Sequence, residues 1–293
     1  MTLDLCPLIF SDPKAKTCLG CKVKKSQTRE KGANATMMVC LAGIEEELKA
    51  AIKSPKEGEI ILLELYKLKR ITTYEDEDQK LNITVKRKAS EILAAINEHK
   101  PKMDKAKQTQ YSLDFGDVLF NLGRYGKAKS QFSRVIKLDS REKRAWNNIG
   151  VTLVRQGKAK EALLYYDKAL ALDSMYGSAW FNKGKVLFTL GKKKDALSCF
   201  QNATKYSPEN KSAWNNLGVT LRHLKKYRES IKCYDQAIKI HSDYPWAWHN
   251  KGVALLELKK YKAARECFDK ALHIDPNYEP AKESKRDVMR KVM

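Results

Sequence analysis

Residues 212–221 read SAWNNLGVTL, and residues 144–153 read RAWNNIGVTL; the two phrases lie 68 positions apart. They are alternate teeth of a finer comb, because Trp146, Trp180, Trp214 and Trp248 fall at intervals of 34. Four positions after each tryptophan stands a glycine (Gly150, Gly184, Gly218, Gly252), and seven after it a leucine (Leu153, Leu187, Leu221, Leu255). Sixteen after it comes a small residue (Ala162, Ala196, Ser230, Ala264) and twenty after it an aromatic (Tyr166, Phe200, Tyr234, Phe268). Spacings of three, four and seven place Trp214, Leu217, Gly218 and Leu221 on one face of a helix, the first of two in each unit. A glycine inside a helix costs about 1 kcal/mol relative to alanine, so its recurrence implies close approach of a second helix. The recurring small residue, Ala162 and its equivalents, is expected to supply the matching surface.

This pattern, with Pro208 and Pro276 closing two units, resembles a tetratricopeptide repeat (TPR) array. The resemblance implies an all-α fold, a right-handed α-solenoid of helix pairs. Its units are 109–142, 143–176, 177–210, 211–244 and 245–278; the first is degenerate, with Ser112 in place of the tryptophan while Phe115, Gly116, Leu119, Ala128 and Phe132 keep the register. In 279–293 the tryptophan position becomes Lys282 and the glycine position Arg286, as expected of a capping helix with a wet outer face.

Ahead of the array, 41–108 reads as a helical connector. Leu41, Ile44, Leu48 and Ile52 keep helical spacing up to Ser54-Pro55; 59–70 reads as a mostly buried helix, with a strand as the alternative; and about 83–99 carries Ile92, Leu93 and Ile96 on one face, expected to pack on the first repeat.

Of seven cysteines, Cys199, Cys233 and Cys267 are again 34 apart and read as small apolar packing residues. The other four, Cys6, Cys18, Cys21 and Cys40, crowd into a Cys-rich module over 1–40. The CLGC loop sets two thiolates at one metal, and two further cysteines complete a tetrahedral sulfur shell for zinc. Two readings stand beside zinc: an Fe–S cluster, which also uses four thiolates, and unligated structural or redox thiols. No apolar run reaches the length of a membrane span, and the N-terminus lacks the basic start of a signal peptide, so a cytoplasmic location is expected.

In a TPR array the resemblance places ligand contacts on first helices, at positions 2, 5, 9, 12 and 13 of each unit. Positions five, nine and twelve, which share a helical face, select Asn147, Val151 and Val154; Phe181, Lys185 and Phe188; Asn215, Val219 and Arg222; His249, Val253 and Leu256. This largely apolar groove with a few cations and amides suits a peptide or protein partner with hydrophobic anchors. The Lys-five, Asn-nine pair of TPR clamps for a C-terminal carboxylate is missing, since position five holds Leu113, Asn147, Phe181, Asn215 and His249.

The chain carries a net charge of +22, and from Thr109 onward 36 Lys and Arg face 19 Asp and Glu. Much of this excess sits in the turn inside each helix pair: Lys158 and Lys160; Lys192, Lys193 and Lys194; Lys225, Lys226 and Arg228; Lys259, Lys260 and Lys262. Aligned along an array they would form a basic ridge able to steer nucleic acid or a ribosomal surface, although no nucleic-acid-binding motif accompanies them. Neither a phosphate-binding Gly-rich loop nor a nucleophile elbow is present, so the expected role is a non-enzymatic adaptor or assembly factor.

Overall fold

The computed structural model describes residues 103–292 continuously, the helix 83–98, and helical residues 41–46, 48, 61, 64–66, 68 and 69. The cysteines proposed as metal ligands, Cys6, Cys18, Cys21 and Cys40, lie outside the described residues. Within 59–70 the described residues are helical, which decides against a strand there. All regular structure among the described residues is helix: α1 (Ile83–Glu98), α2 (Lys105–Asn121), α3 (Tyr125–Leu138), α4 (Lys143–Arg155), α5 (Ala159–Leu172), α6 (Gly177–Thr189), α7 (Lys193–Tyr206), α8 (Lys211–His223), α9 (Tyr227–Ile240), α10 (Pro245–Glu257), α11 (Tyr261–Ile274) and α12 (Glu279–Val292). The chain divides into two compact units, 1–156 and 157–293.

In the first unit, α1 buries Ala89, Ile92, Leu93 and Ile96. Lys69 bridges two carboxylates of α2, Asp114 at 2.8 Å and Asp117 at 2.6 Å, and Asn148 of α4 donates to Asp117 at 2.9 Å. Helix α2 starts at Asp104, whose carboxylate accepts from the Lys107 amide, and α4 starts at Glu142, whose carboxylate accepts from the Arg144 amide. Each such cap satisfies one of the amides a helix start leaves without a partner.

The second unit stacks α5, the pairs α6/α7, α8/α9 and α10/α11, and α12, each helix packed on the next. Inside a pair, the glycine of the first helix faces the aromatic of the second. A Cβ added to Gly218 would lie 2.5 Å from the Tyr234 ring, and one added to Gly252 2.5 Å from the Phe268 ring. The same holds for Gly116 and Phe132 in the first unit. The small-residue surface expected opposite the glycines is therefore not what fills the gap: the aromatic ring does, and a buried ring brings far more apolar area than a methyl. Ala196, Ser230 and Ala264 are fully buried nonetheless.

Each tryptophan is only partly buried, and its indole N–H donates to a loop carbonyl six residues earlier: Trp146 to Ser140, Trp180 to Ser174, Trp214 to Pro208 and Trp248 to Ser242, at 2.8–2.9 Å. The loop between units is thus tied down by the residue that marks the next unit. Asp139 and Asp173 tighten two of these loops by accepting from the amides of Arg141 and Met175.

First helices end in a left-handed residue. Gly123, Gly157 and Gly191 hold φ near 77°, at 76°, 78° and 78°, but the last two pairs place Lys225 (62°) and Lys259 (57°) there. The closing hydrogen bond is unchanged: Lys192 N to Leu187 O, Lys226 N to Leu221 O and Lys260 N to Leu255 O are all 2.9 Å.

Junctions between pairs carry a recurring ion pair. Lys183 meets Asp167 at 2.6 Å, Lys251 meets Asp235 at 2.7 Å and Lys285 meets Asp269 at 2.6 Å. At the corresponding place between α7 and α8 stand Gln201 and Leu217, and Leu217 is buried in a core of Leu187, Cys199, Phe200 and Leu221. Burial pushes the thiols of Cys199, Cys233 and Cys267 up to about 11, which makes them inert packing groups.

Candidate protein-interaction surface

The first helices of the second unit, α6, α8 and α10, touch in series. On α6, Phe181 and Phe188 are half-buried: Phe181 packs 6.0 Å from the Phe200 ring with the Lys185 ammonium 5.5 Å from its own centroid, and Phe188 meets His223 edge-on at 5.3 Å. Lys185 is exposed. On α8, Val219 and Arg222 are partly exposed, and on α10 so are His249, Val253 and Leu256. Val253 and Leu256 also lean on the core formed by Leu255, Cys267, Phe268 and Val288.

Asn215, chosen from its spacing as a groove residue, is only 8% exposed, and its amide oxygen accepts from Asn250 at 2.9 Å. In the first unit Asn147 is 5% exposed and donates to Asn148 at 3.1 Å, while Val151 is half-buried and Val154 is 37% exposed. The two asparagines thus serve as links between neighbouring amides instead of standing open, because a buried amide left unpaired costs about 1–3 kcal/mol. Two residues at the edge of the surface were not selected: His223 against Phe188, and Ser284 of α12, whose hydroxyl is 3.1 Å from His249 Nε2. Position thirteen of the resemblance would have found His223; Ser284 lies beyond the repeats and carries no such signal.

Charge is distributed unevenly over this face. Burial, with Arg222 nearby, lowers the pKa of His249 below the usual 6.5. The same two causes, with Lys193, lower His223.

Of the basic turn residues, Lys193 is half-buried, whereas Lys158, Lys160, Lys192, Lys194, Lys225, Lys226, Arg228, Lys259, Lys260 and Lys262 are exposed. Lys158, Lys192, Lys226 and Lys260 each stand at the N-cap of a second helix without making a side-chain cap. Among the described residues no group of three or more His, Cys, Asp or Glu side chains could hold a metal ion, and no helix is long and apolar enough to cross a membrane.

Tetratricopeptide repeat family models match residues 113–175, 177–210, 212–244 and 245–278. The chain belongs to the tetratricopeptide repeat family. Solved TPR structures share the fold. YrrB, described as a TPR protein with an unusual peptide-binding site, is 24% identical, with 66% of this chain and 96% of its own covered at a TM-score of 0.52. MamA from Desulfovibrio magneticus RS-1 is 18% identical, with 58% and 97% covered at 0.52. PilF of Pseudomonas aeruginosa is 17% identical, with 64% and 91% covered at 0.54. No curated protein matches this TPR chain.

Proposed function

We propose that this chain is a non-catalytic interaction scaffold, an adaptor or assembly factor, that holds a peptide or protein segment on the α6–α8–α10 face. The observation that carries this reading is the row of partly exposed apolar groups, Phe181, Phe188, Val219, Val253 and Leu256, set among cations on touching first helices. The peptide-binding site named for YrrB supports it, as that protein has the same fold. Half-buried aromatics are ready-made anchors, since each adds contact area without further ordering of the scaffold. The test is copurification of a partner with the full chain and with a Phe181→Ala/Phe188→Ala variant. Loss of the partner with helicity unchanged supports the face; undiminished partner binding overturns it.

A second reading rests on the turns. Lys225 and Lys259 occupy left-handed positions that earlier repeats give to glycine, so charge is kept there at a backbone cost of about 1–2 kcal/mol. Exposed lysines in every turn of the second unit suit a polyanion such as RNA. Association that is nuclease-sensitive and falls steeply between two salt concentrations favours this reading over the apolar face.

For Cys6, Cys18, Cys21 and Cys40 the proposal is a metal module, with zinc the first assignment and an Fe–S cluster the second, because four thiolates satisfy either. Zinc and iron content of the purified chain, before and after Cys18→Ser, decides it; absence of both metals removes the proposal.

A further inference from the structure

A cavity of about 350 Å³ lies in the first unit, walled by α1, α2 and α3. That is the lower end of small-molecule sites, which run from about 300 to 1,000 Å³. Helix α1 stands ahead of the repeats and reads ITVKRKASEILAAINE, without an aromatic. It brings Leu93, Ala94 and Asn97 to the wall, too little bulk to close the space against α2 and α3.

The floor is apolar and the rim is cationic. Leu93, Phe115 and Leu119 are buried beneath the cavity, whereas Ala94, Asn97, Arg124 and Lys127 are exposed around it. Among the described residues no carboxylate lines it, and neither Arg124 nor Lys127 makes an ion pair. Lys127 is the more telling of the two. It is the third residue of α3, and the third residues of the next three second helices are Glu161, Asp195 and Glu229. An acid is favoured there, because the helix dipole is positive at the N-terminus and repels a cation in the first turn. The first repeat thus reverses the charge at the position its cavity adjoins, against the preference of the helix.

We propose that this cavity binds a small organic anion with an apolar body. Arg124 and Lys127, three residues apart and so neighbours at the start of α3, hold the charged group by charge-assisted hydrogen bonds. The bound charge offsets the repulsion inside α3, and the apolar body covers Leu93, Phe115 and Leu119. The site lies within the first unit and does not depend on the α6–α8–α10 reading.

The test uses the full chain and three probes of one shape, 2-naphthoate, 2-naphthyl phosphate and the neutral 2-naphthamide, titrated calorimetrically. Salt of about 0.15 M screens diffuse attraction to the basic surface. At least one anionic probe should bind saturably at one site, about tenfold more tightly than the amide; the tighter of the two anions identifies the head group. Lys127→Glu, which installs the acid of the next repeats, should keep or raise the Tm and weaken the anion about tenfold while sparing the amide. Ala94→Trp, at an exposed position on the rim, should fill the cavity and abolish binding of all three. If that variant loses helicity, Arg124→Gln replaces it, with the anion again weakened and the amide spared. The proposal is overturned if neither anion binds, if the amide binds as tightly as the anions, or if the folded variants bind the anions as wild type does, which would assign them to the basic surface at large.

Discussion

Replacing Gly218 by alanine sets two effects of known size against each other. In a helix interior the change from glycine gains about 1 kcal/mol of backbone propensity. Against it, the new Cβ meets Tyr234 Cε1 at 2.5 Å, with Cδ1 at 2.8 Å and Cζ at 2.9 Å. Ordinary carbon contacts lie at about 3.5–4.0 Å, so the ring or the α8 backbone must withdraw by roughly 1 Å. Tyr234 is fully buried and cannot swing into solvent. Overpacking of this kind costs typically about 1–3 kcal/mol, and here the upper part of that range applies because three ring atoms are met at once. The net expectation is a loss of about 1–2 kcal/mol, or a Tm lowered by roughly 3–8 °C. Gly184→Ala should cost less, since its nearest Phe200 atoms are 2.8, 3.0 and 3.1 Å away. Gly126→Ala, with nothing within 4 Å, should be neutral or stabilising. Urea and thermal unfolding followed by circular dichroism give the ranking. Gly218→Ala as stable as wild type would show that the glycine is not holding room for the ring.

Trp214→Phe keeps an aromatic but removes the indole bond to Pro208 O, and should cost about 1 kcal/mol with faster amide exchange in the 207–210 loop; unchanged exchange there refutes the tie. Lys225→Gly relieves a non-glycine residue at φ 62° and should stabilise by about 0.5–1 kcal/mol, measured by urea denaturation. His249 has a folded pKa depressed by burial and by Arg222, so the unfolded chain takes up its proton first. Stability should therefore fall as pH drops from about 6.5 towards the folded pKa, and His249→Gln should flatten that part of the curve; parallel profiles for the two proteins would exclude His249 as the source.

The fold was legible because a repeat multiplies a weak signal: one Trp-x3-Gly means little, but four in register define two helices and their inward face. What spacing could not supply was the identity of each contact. The glycines announced a close approach, yet whether a methyl or a ring came near depends on which way the second helix turns its larger group, and the ring at Tyr234 or Phe268 won. The candidate face shows the same division. Periodicity put Asn215 and Arg222 on one stripe, but not the reach of Asn250 across to Asn215, which closes one of them off.

The ion pairs at the junctions give the second unit an uneven response to salt. Lys183–Asp167, Lys251–Asp235 and Lys285–Asp269 weaken as ionic strength rises. The junction of α7 with α8 holds Leu217 at that place, and burial of leucine is strengthened by excluded salts such as sulfate. Added sulfate should thus loosen the three ion-paired seams and tighten the seam between α7 and α8, shifting their relative stability without changing any residue.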